Sequence, residues 1–476
     1  MLQTEIAVMR FGLGARPGDL QAAAADPRGW LRAQTAGAVA LAGAGAGTLA
    51  PCDQIIAAAI AAREERRERK RENAAPSSAD ANGVGNALRE AYQPHYHAQV
   101  LARVQSAAAT TRPFGERLVH FWGNHFAISA DKGAIYGLAG TLENEAIRPH
   151  VNGRFVDLLT AAVGHPAMIA FLDNQLSAGA DSAAARLAAA RDSAPRTAAA
   201  PPRGQFGINE NLAREILELH TLGVDGGYTQ QDVTSFAQII TGWSIGGAGG
   251  RLAGGEVGRF YFRDNLHEPG AKTFLGKRYP QDGEAQGLAV LADLAAHPST
   301  AHFIATKLVR HFVADDPPPA AVERVSRAYR QSGGELPRVY AALIDAPEAW
   351  DAELRKFKTP EDFVFSTLRA LDVAPQKPQE VIHSFDLLGQ RQYTPGSPAG
   401  WADTAKSWDG PDALMHRVLW ASRIAERFEQ GQSALDVAAS CLGGFARPDT
   451  LVALRRAASG SQALALLLMS PEFQRR

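Results

Sequence analysis

Apolar residues recur at helical spacing, about every 3.6 positions, along most of the chain, while strand-like alternation is scarce. Ala-rich stretches extend the same pattern. The spacing predicts short helices over 19–46, a mixed-charge helix over 53–73, and helices from about 86 to 110 and 113 to 128. From His297 onward the pattern is helical again between Pro-containing boundaries. That predicts a C-terminal helical subdomain, 297–476, inside one continuous domain covering 1–476. Gly and aromatic residues concentrate between 241 and 279, and Arg259-Phe-Tyr-Phe-Arg263 is the best strand candidate. Two segments, 74–85 and 177–205, lack the apolar content that offsets ordering entropy and are expected to be mobile loops. The expected fold class is mainly α: a large multi-helix body with a small β-hairpin or short-strand insertion near 259–279.

Composition narrows the function classes. Lys+Arg 49 against Asp+Glu 50 leaves a formal charge of −1, so the basic field typical of nucleic-acid binders is missing. The run Arg63-Glu-Glu-Arg-Arg-Glu-Arg-Lys-Arg-Glu72 interleaves both signs and reads as a solvated, ion-paired helix. Cys52 and Cys441 cannot make a disulfide framework, and no Cys-x-x-Cys is present. No apolar run approaches the roughly 18 residues of a membrane span. The first residues, Met1-Leu-Gln-Thr-Glu-Ile-Ala-Val-Met-Arg10, lack a basic stretch followed by an apolar one. The protein as written is expected in the cytoplasm, and export is expected only if the true start lies upstream.

Candidate chemistry gathers on two helices. In Asn209-Glu-Asn-Leu-Ala-Arg-Glu-Ile-Leu-Glu-Leu-His220, the residues Asn211, Arg214, Glu215 and Glu218 share a narrow arc flanked by aliphatics. An amide, a guanidinium and two carboxylates side by side suit a partly buried polar cluster, with Glu215 and Glu218 as acid/base candidates and Asn211 and Arg214 as orienting groups. In Glu116-Arg-Leu-Val-His-Phe-Trp-Gly-Asn-His125, Glu116, His120 and Asn124 recur every four residues on one face. A His between Glu and Asn can have its tautomer set for work as a base or a metal ligand. Each polar stripe is most easily buried against the other, so Glu215 and His120 are expected to face one shared cavity. Asp173, Trp243, His267 and Lys272 lie on adjoining loops and are candidate substrate-binding residues beside Asn124. Asp225-Gly-Gly-Tyr-Thr-Gln-Gln-Asp232 matches only the second half of a calcium loop and reads better as the start of a new helix.

Arg10-Phe-Gly-Leu-Gly-Ala-Arg-Pro17, Phe121-Trp-Gly-Asn-His-Phe126, Glu145-Ala-Ile-Arg-Pro-His150, Asn209-Glu-Asn-Leu-Ala-Arg-Glu215, Leu219-His-Thr-Leu-Gly-Val-Asp225, Thr241-Gly-Trp243 and Ser397-Pro-Ala-Gly-Trp401 stand in a fixed order. Together they resemble the bacterial family called domain of unknown function 1800, from about residue 8 to the C-terminus. The resemblance implies a mainly helical protein without an established activity and supplies no catalytic residues. It also implies relatives that often carry export signals and are often encoded beside a sulfatase- or phosphatase-like protein. Three functions follow as expectations. The first is a hydrolase with one polar interhelical cleft. The second is a non-catalytic scaffold for the sulfatase- or phosphatase-like partner. The third is a metal- or haem-type cofactor protein using His120 with His220 or His267.

Overall fold

The computed structural model describes residues 2–43, 45, 47, 49–72, 80–192, 207–247, 253–280, 283–428 and 433–476. Helices dominate, as the spacing predicts. Helix α1 (Cys52–Glu72) packs on α2 (Asp80–Ala109), and α3 (Pro113–His125) follows. Further along, α4 (Pro298–Phe312), α5 (Pro319–Ser332) and α6 (Leu336–Ile344) pack in succession. They are followed by α7 (Pro360–Ala370) and α8 (Pro411–Phe428). Many of these helices begin with Pro in their first turn, where its missing N–H has no intrahelical partner to lose.

Helix α3 is the axis of the core. Phe114, Leu118, Val119 and Trp122 are fully buried. The Trp122 indole donates to the Tyr340 hydroxyl at 2.7 Å, and that hydroxyl donates to the Val151 carbonyl at 2.7 Å. Phe114 also meets Phe11 and Phe312 at ring-centroid distances of 5.8 and 5.6 Å. Residues from the N-terminal segment, α4 and α6 therefore close around one helix. Its polar stripe cannot reach bulk water as a solvated face would and must find partners inside.

The expected strand region holds two small antiparallel pairs. Strand β1 (Trp243–Ile245) pairs with β2 (Phe260–Phe262), with Trp243 opposite Phe262. Strand β3 (Lys272–Phe274) pairs with β4 (Lys277–Tyr279). The β3–β4 turn holds Leu275 at φ +47° and Gly276 at φ +73°, the double left-handed geometry that matches hairpin twist. Asp232 accepts a hydrogen bond from the Leu275 amide at 2.9 Å, which helps hold this unfavoured conformation. Asp232 and Thr229 also form a reciprocal cap on the helix Gln230–Ile239, so this segment recaps a helix.

Of the two segments expected to be mobile loops, residues 74–79 and 193–205 lie outside the described residues. The described parts are largely helical: α2 already begins at Asp80, and Ala183–Asp192 is a helix. Ala and Arg have high helix propensity even without a strongly apolar face, and that local preference governs Ala183–Asp192.

Candidate active site

A cavity of about 510 Å³ opens where α3, α4, the N-terminal turn of α7 and the loop 395–404 converge. Two ionic clusters form its walls. In the first, Glu116, fully buried on α3, receives both guanidinium nitrogens of Arg148 at 2.7 Å. Arg148 also reaches Glu143 at 3.0 Å and Asn144 at 3.1 Å. Glu143 and Asn144 lie in the first part of a widened helical turn, Leu142–Ile147, and Arg148 directly follows it, its amide bonding to the Glu143 carbonyl five residues back. The wider turn lets Glu143 and Arg148 stack, and such turns often mark functional sites. Arg103 bridges Glu143 at 2.9 Å and grips both Glu361 oxygens at 3.0 and 3.2 Å. Burial opposes ionisation of Glu116, but the Arg148 guanidinium outweighs it and holds the carboxyl well below the usual range.

His120 stands among these groups, buried, with its ring 5.1 Å from that of Phe365. Its Nε2 lies 3.4 Å from Glu116 and its Nδ1 3.5 Å from Glu361. Both contacts are long and off the hydrogen-bonding direction, so neither ring nitrogen has a hydrogen-bond partner.

The second cluster surrounds His311 on α4. Its Nδ1 meets Asp403 at 2.7 Å, and its Nε2 accepts from Arg117 at 3.2 Å. Arg117 donates in turn to Asp362 at 2.7 Å, and Arg476 donates to Asp362 at 3.1 Å. Burial, only partly offset by Asp403, pushes the His311 imidazole down to about 4. With both nitrogens engaged, His311 is a neutral structural link and not a free base. Lys307, one turn earlier on α4, lines the same cavity; enclosure pushes its ammonium down to about 8, with Asp403 opposing the shift.

The loop carrying Trp401 forms the remaining wall. The Asn124 amide donates to the Trp401 carbonyl at 2.9 Å and accepts from the Trp401 amide at 2.7 Å. Its side chain therefore holds the loop. The loop depends on Gly400, which has φ +82° and where a Cβ would meet the Asn124 carbonyl oxygen at 2.4 Å. Gly400→Ala is expected to cost on the order of 2 kcal/mol and to displace Trp401. Urea unfolding and Trp fluorescence of the variant check this, and unchanged values for both would refute it.

Of the residues singled out from the sequence, His120 and Asn124 line this cavity and Glu215 and Glu218 do not. The expectation that Glu215 shares a cavity with His120 is therefore corrected. The helix Asn211–Glu215, continuing through Ile216–His220, buries Leu212, Ile216, Leu217 and His220 and turns its polar arc outward. Arg214 pairs there with Glu210 at 3.2 Å, Glu218 at 3.3 Å and Gln230 at 2.8 Å, and Asn211 is exposed. Glu215 is partly buried, and burial, reinforced by Glu218, raises its carboxyl.

The remaining candidates are dispersed. Asp173 pairs with Lys132 at 2.7 Å beside a second cavity that Arg263 and Asn209 also border. Trp243 is buried in the core, and His267 bonds to the Thr241 carbonyl at 3.1 Å. Lys272 is spent on the Pro269 and Gly270 carbonyls at 2.7 and 2.9 Å. Neither His220 nor His267 lines the cavity with His120. Among the described residues, no three or more His, Cys, Asp or Glu side chains are grouped to hold a metal ion.

Sequence reasoning missed Arg103, Lys307, Arg310, His311, Glu361, Asp362 and Asp403. A signal existed for two groups of them. Lys307 with Arg310 and His311 falls at i, i+3 and i+4 on one amphipathic helix. Asp362 closes a capping box with Thr359, and Glu361 lies in the same first turn, a pattern that reads simply as a helix start.

A family model described as a protein of unknown function (DUF1800) matches residues 6–475, and the chain belongs to that family. No curated protein and no solved structure matches it. Among the described residues, no helix is long and apolar enough to cross a membrane.

Proposed function

We propose that the cavity is the active site of a hydrolase in which His120 takes a proton from the attacking water. The observation that carries this reading is the imidazole of His120, buried at the cavity wall within 3.4 and 3.5 Å of two carboxylates but hydrogen-bonded to neither. Arg103 and Arg148 lock Glu361 and Glu116, so these carboxylates stabilise an imidazolium as it forms without taking the proton themselves. The water oxygen attacks the electrophilic centre as its proton passes to His120. The same proton then moves from His120 to the leaving group, which regenerates the neutral ring. The cavity volume falls within the range of small-molecule sites.

His120→Gln tests the reading against p-nitrophenyl esters, phosphates and sulfates. Wild type is expected to turn over at least one class, and the variant to lose about 10²–10⁴-fold with an unchanged unfolding midpoint. Full turnover by the variant, or none by wild type in any class, would sink the proposal.

A second reading, a non-catalytic scaffold for a sulfatase- or phosphatase-like protein, draws on α8. Leu414, Met415, Val418 and Leu419 form an exposed apolar stripe there, with Met415 59% exposed. On that reading Val418→Asp abolishes partner binding and His120→Gln leaves it intact.

A further inference from the structure

We infer that the cavity takes a small molecule whose anionic oxygen group sits on Lys307 and Arg310 and whose apolar part lies against the aromatic walls. The inference rests on the hydrolase reading for its reaction, but its binding argument stands alone.

The charges around the cavity are almost all spoken for. Glu143 and Glu361 are held by Arg103, and Asp362 by Arg117 and Arg476. Asp403 is engaged by His311 and lies 3.6 Å from Lys356, which also holds Asp315. Lys307 and Arg310 remain. Among the described residues, neither has a carboxylate within ion-pair distance. The Lys307 ammonium sits 5.5 Å from the Phe303 ring, and Arg310 gives only one 3.4 Å hydrogen bond, to the Asp315 carbonyl. Their i,i+3 spacing on α4 makes them neighbours on one helix face, where two like charges repel unless an anion lies between them.

Both are partly buried, and a cation withdrawn from water without a counter-ion gains from a bound oxyanion. The buried, unpartnered ring nitrogens of His120 independently mark the same cavity as built for a polar guest. Phe121, Phe126, Tyr393 and Trp401 supply apolar lining, so a bare ion would leave much of the space unfilled. Carboxylate, phosphate and sulfate share the required chemistry.

Calorimetric titration with phenyl phosphate, phenyl sulfate and benzoate at low ionic strength separates them. At least one is expected to bind wild type. Lys307→Met and Arg310→Met are each expected to weaken it at least 10-fold, and the double variant to abolish it while unfolding at the wild-type midpoint. Retained binding by His120→Gln would support the anion site whether or not hydrolysis is observed, which keeps the two proposals separable. Absence of binding for all three compounds, or affinity unaltered in the double variant, would overturn the inference.

Discussion

Replacing Arg148 with methionine is expected to destabilise the protein by roughly 3–5 kcal/mol, the usual cost of removing one partner from a buried ion pair. The guanidinium touches Glu116 through two bonds of 2.7 Å and Glu143 through one of 3.0 Å, and all three groups are almost fully enclosed. Methionine is shorter but fills a similar volume without charge, so the loss is chiefly electrostatic. Arg103 still neutralises Glu143 in the variant, but Glu116 is left with only the long, misaligned contact to His120. The double change Arg148→Met with Glu116→Gln is expected to recover part of the loss, because it removes the stranded charge. Urea unfolding followed by Trp fluorescence measures both. A single-variant loss below about 1 kcal/mol would mean that water reaches Glu116 and that the network is not a buried one.

Stability is also expected to fall steeply as pH drops from about 6.5 toward 4.5, before the carboxylates contribute. Burial, with Lys307 adding to it, holds His125 well below its ordinary value of 6.5. The same cause takes His220 down to about 3, and His311 lies near 4. In the unfolded chain these imidazoles take up protons near 6.5, whereas in the folded protein they resist. Their contribution is therefore complete above the unfolded value and is lost as pH falls toward the folded values. Each group adds a slope of up to about 1.4 kcal/mol per pH unit, so the three together approach about 4 kcal/mol per unit. Glu116, Asp362 and Asp403, whose ionised forms the surrounding cations favour, add the same sign of effect only at lower pH, near the ordinary carboxylate range. Urea midpoints at several pH values check the slope. His220→Phe is expected to reduce it by about a third, since neither His220 ring nitrogen has a hydrogen-bond partner to lose and the ring already packs 5.0 Å from that of Phe126. A flat profile between these limits would contradict the burial of the three rings.

The helices were legible in the chain because their cause is local. Apolar spacing, Pro in first turns and the Thr229–Asp232 cap act within a few residues, and the Arg259–Arg263 strand announced itself by aromatic content. The stripe Glu116–His120–Asn124 was legible for the same reason, and so was membership of the family, through motifs that survive in order. What covers a stripe was not legible. The arc Asn211–Glu218 and the stripe on α3 look alike in sequence, yet one faces solvent and pairs along its own helix, and the other is enclosed. Partner choice also lay beyond the sequence. Arg103 reaches Glu361 across 258 positions, Arg117 reaches Asp362 across 245, and His311 meets Asp403 across 92. Periodicity sorts residues around one helix axis, but desolvation and charge pairing depend on which other helix arrives against that face. Only the packing of α3 against α2, α7 and the widened turn Leu142–Ile147 could set the environment of His120.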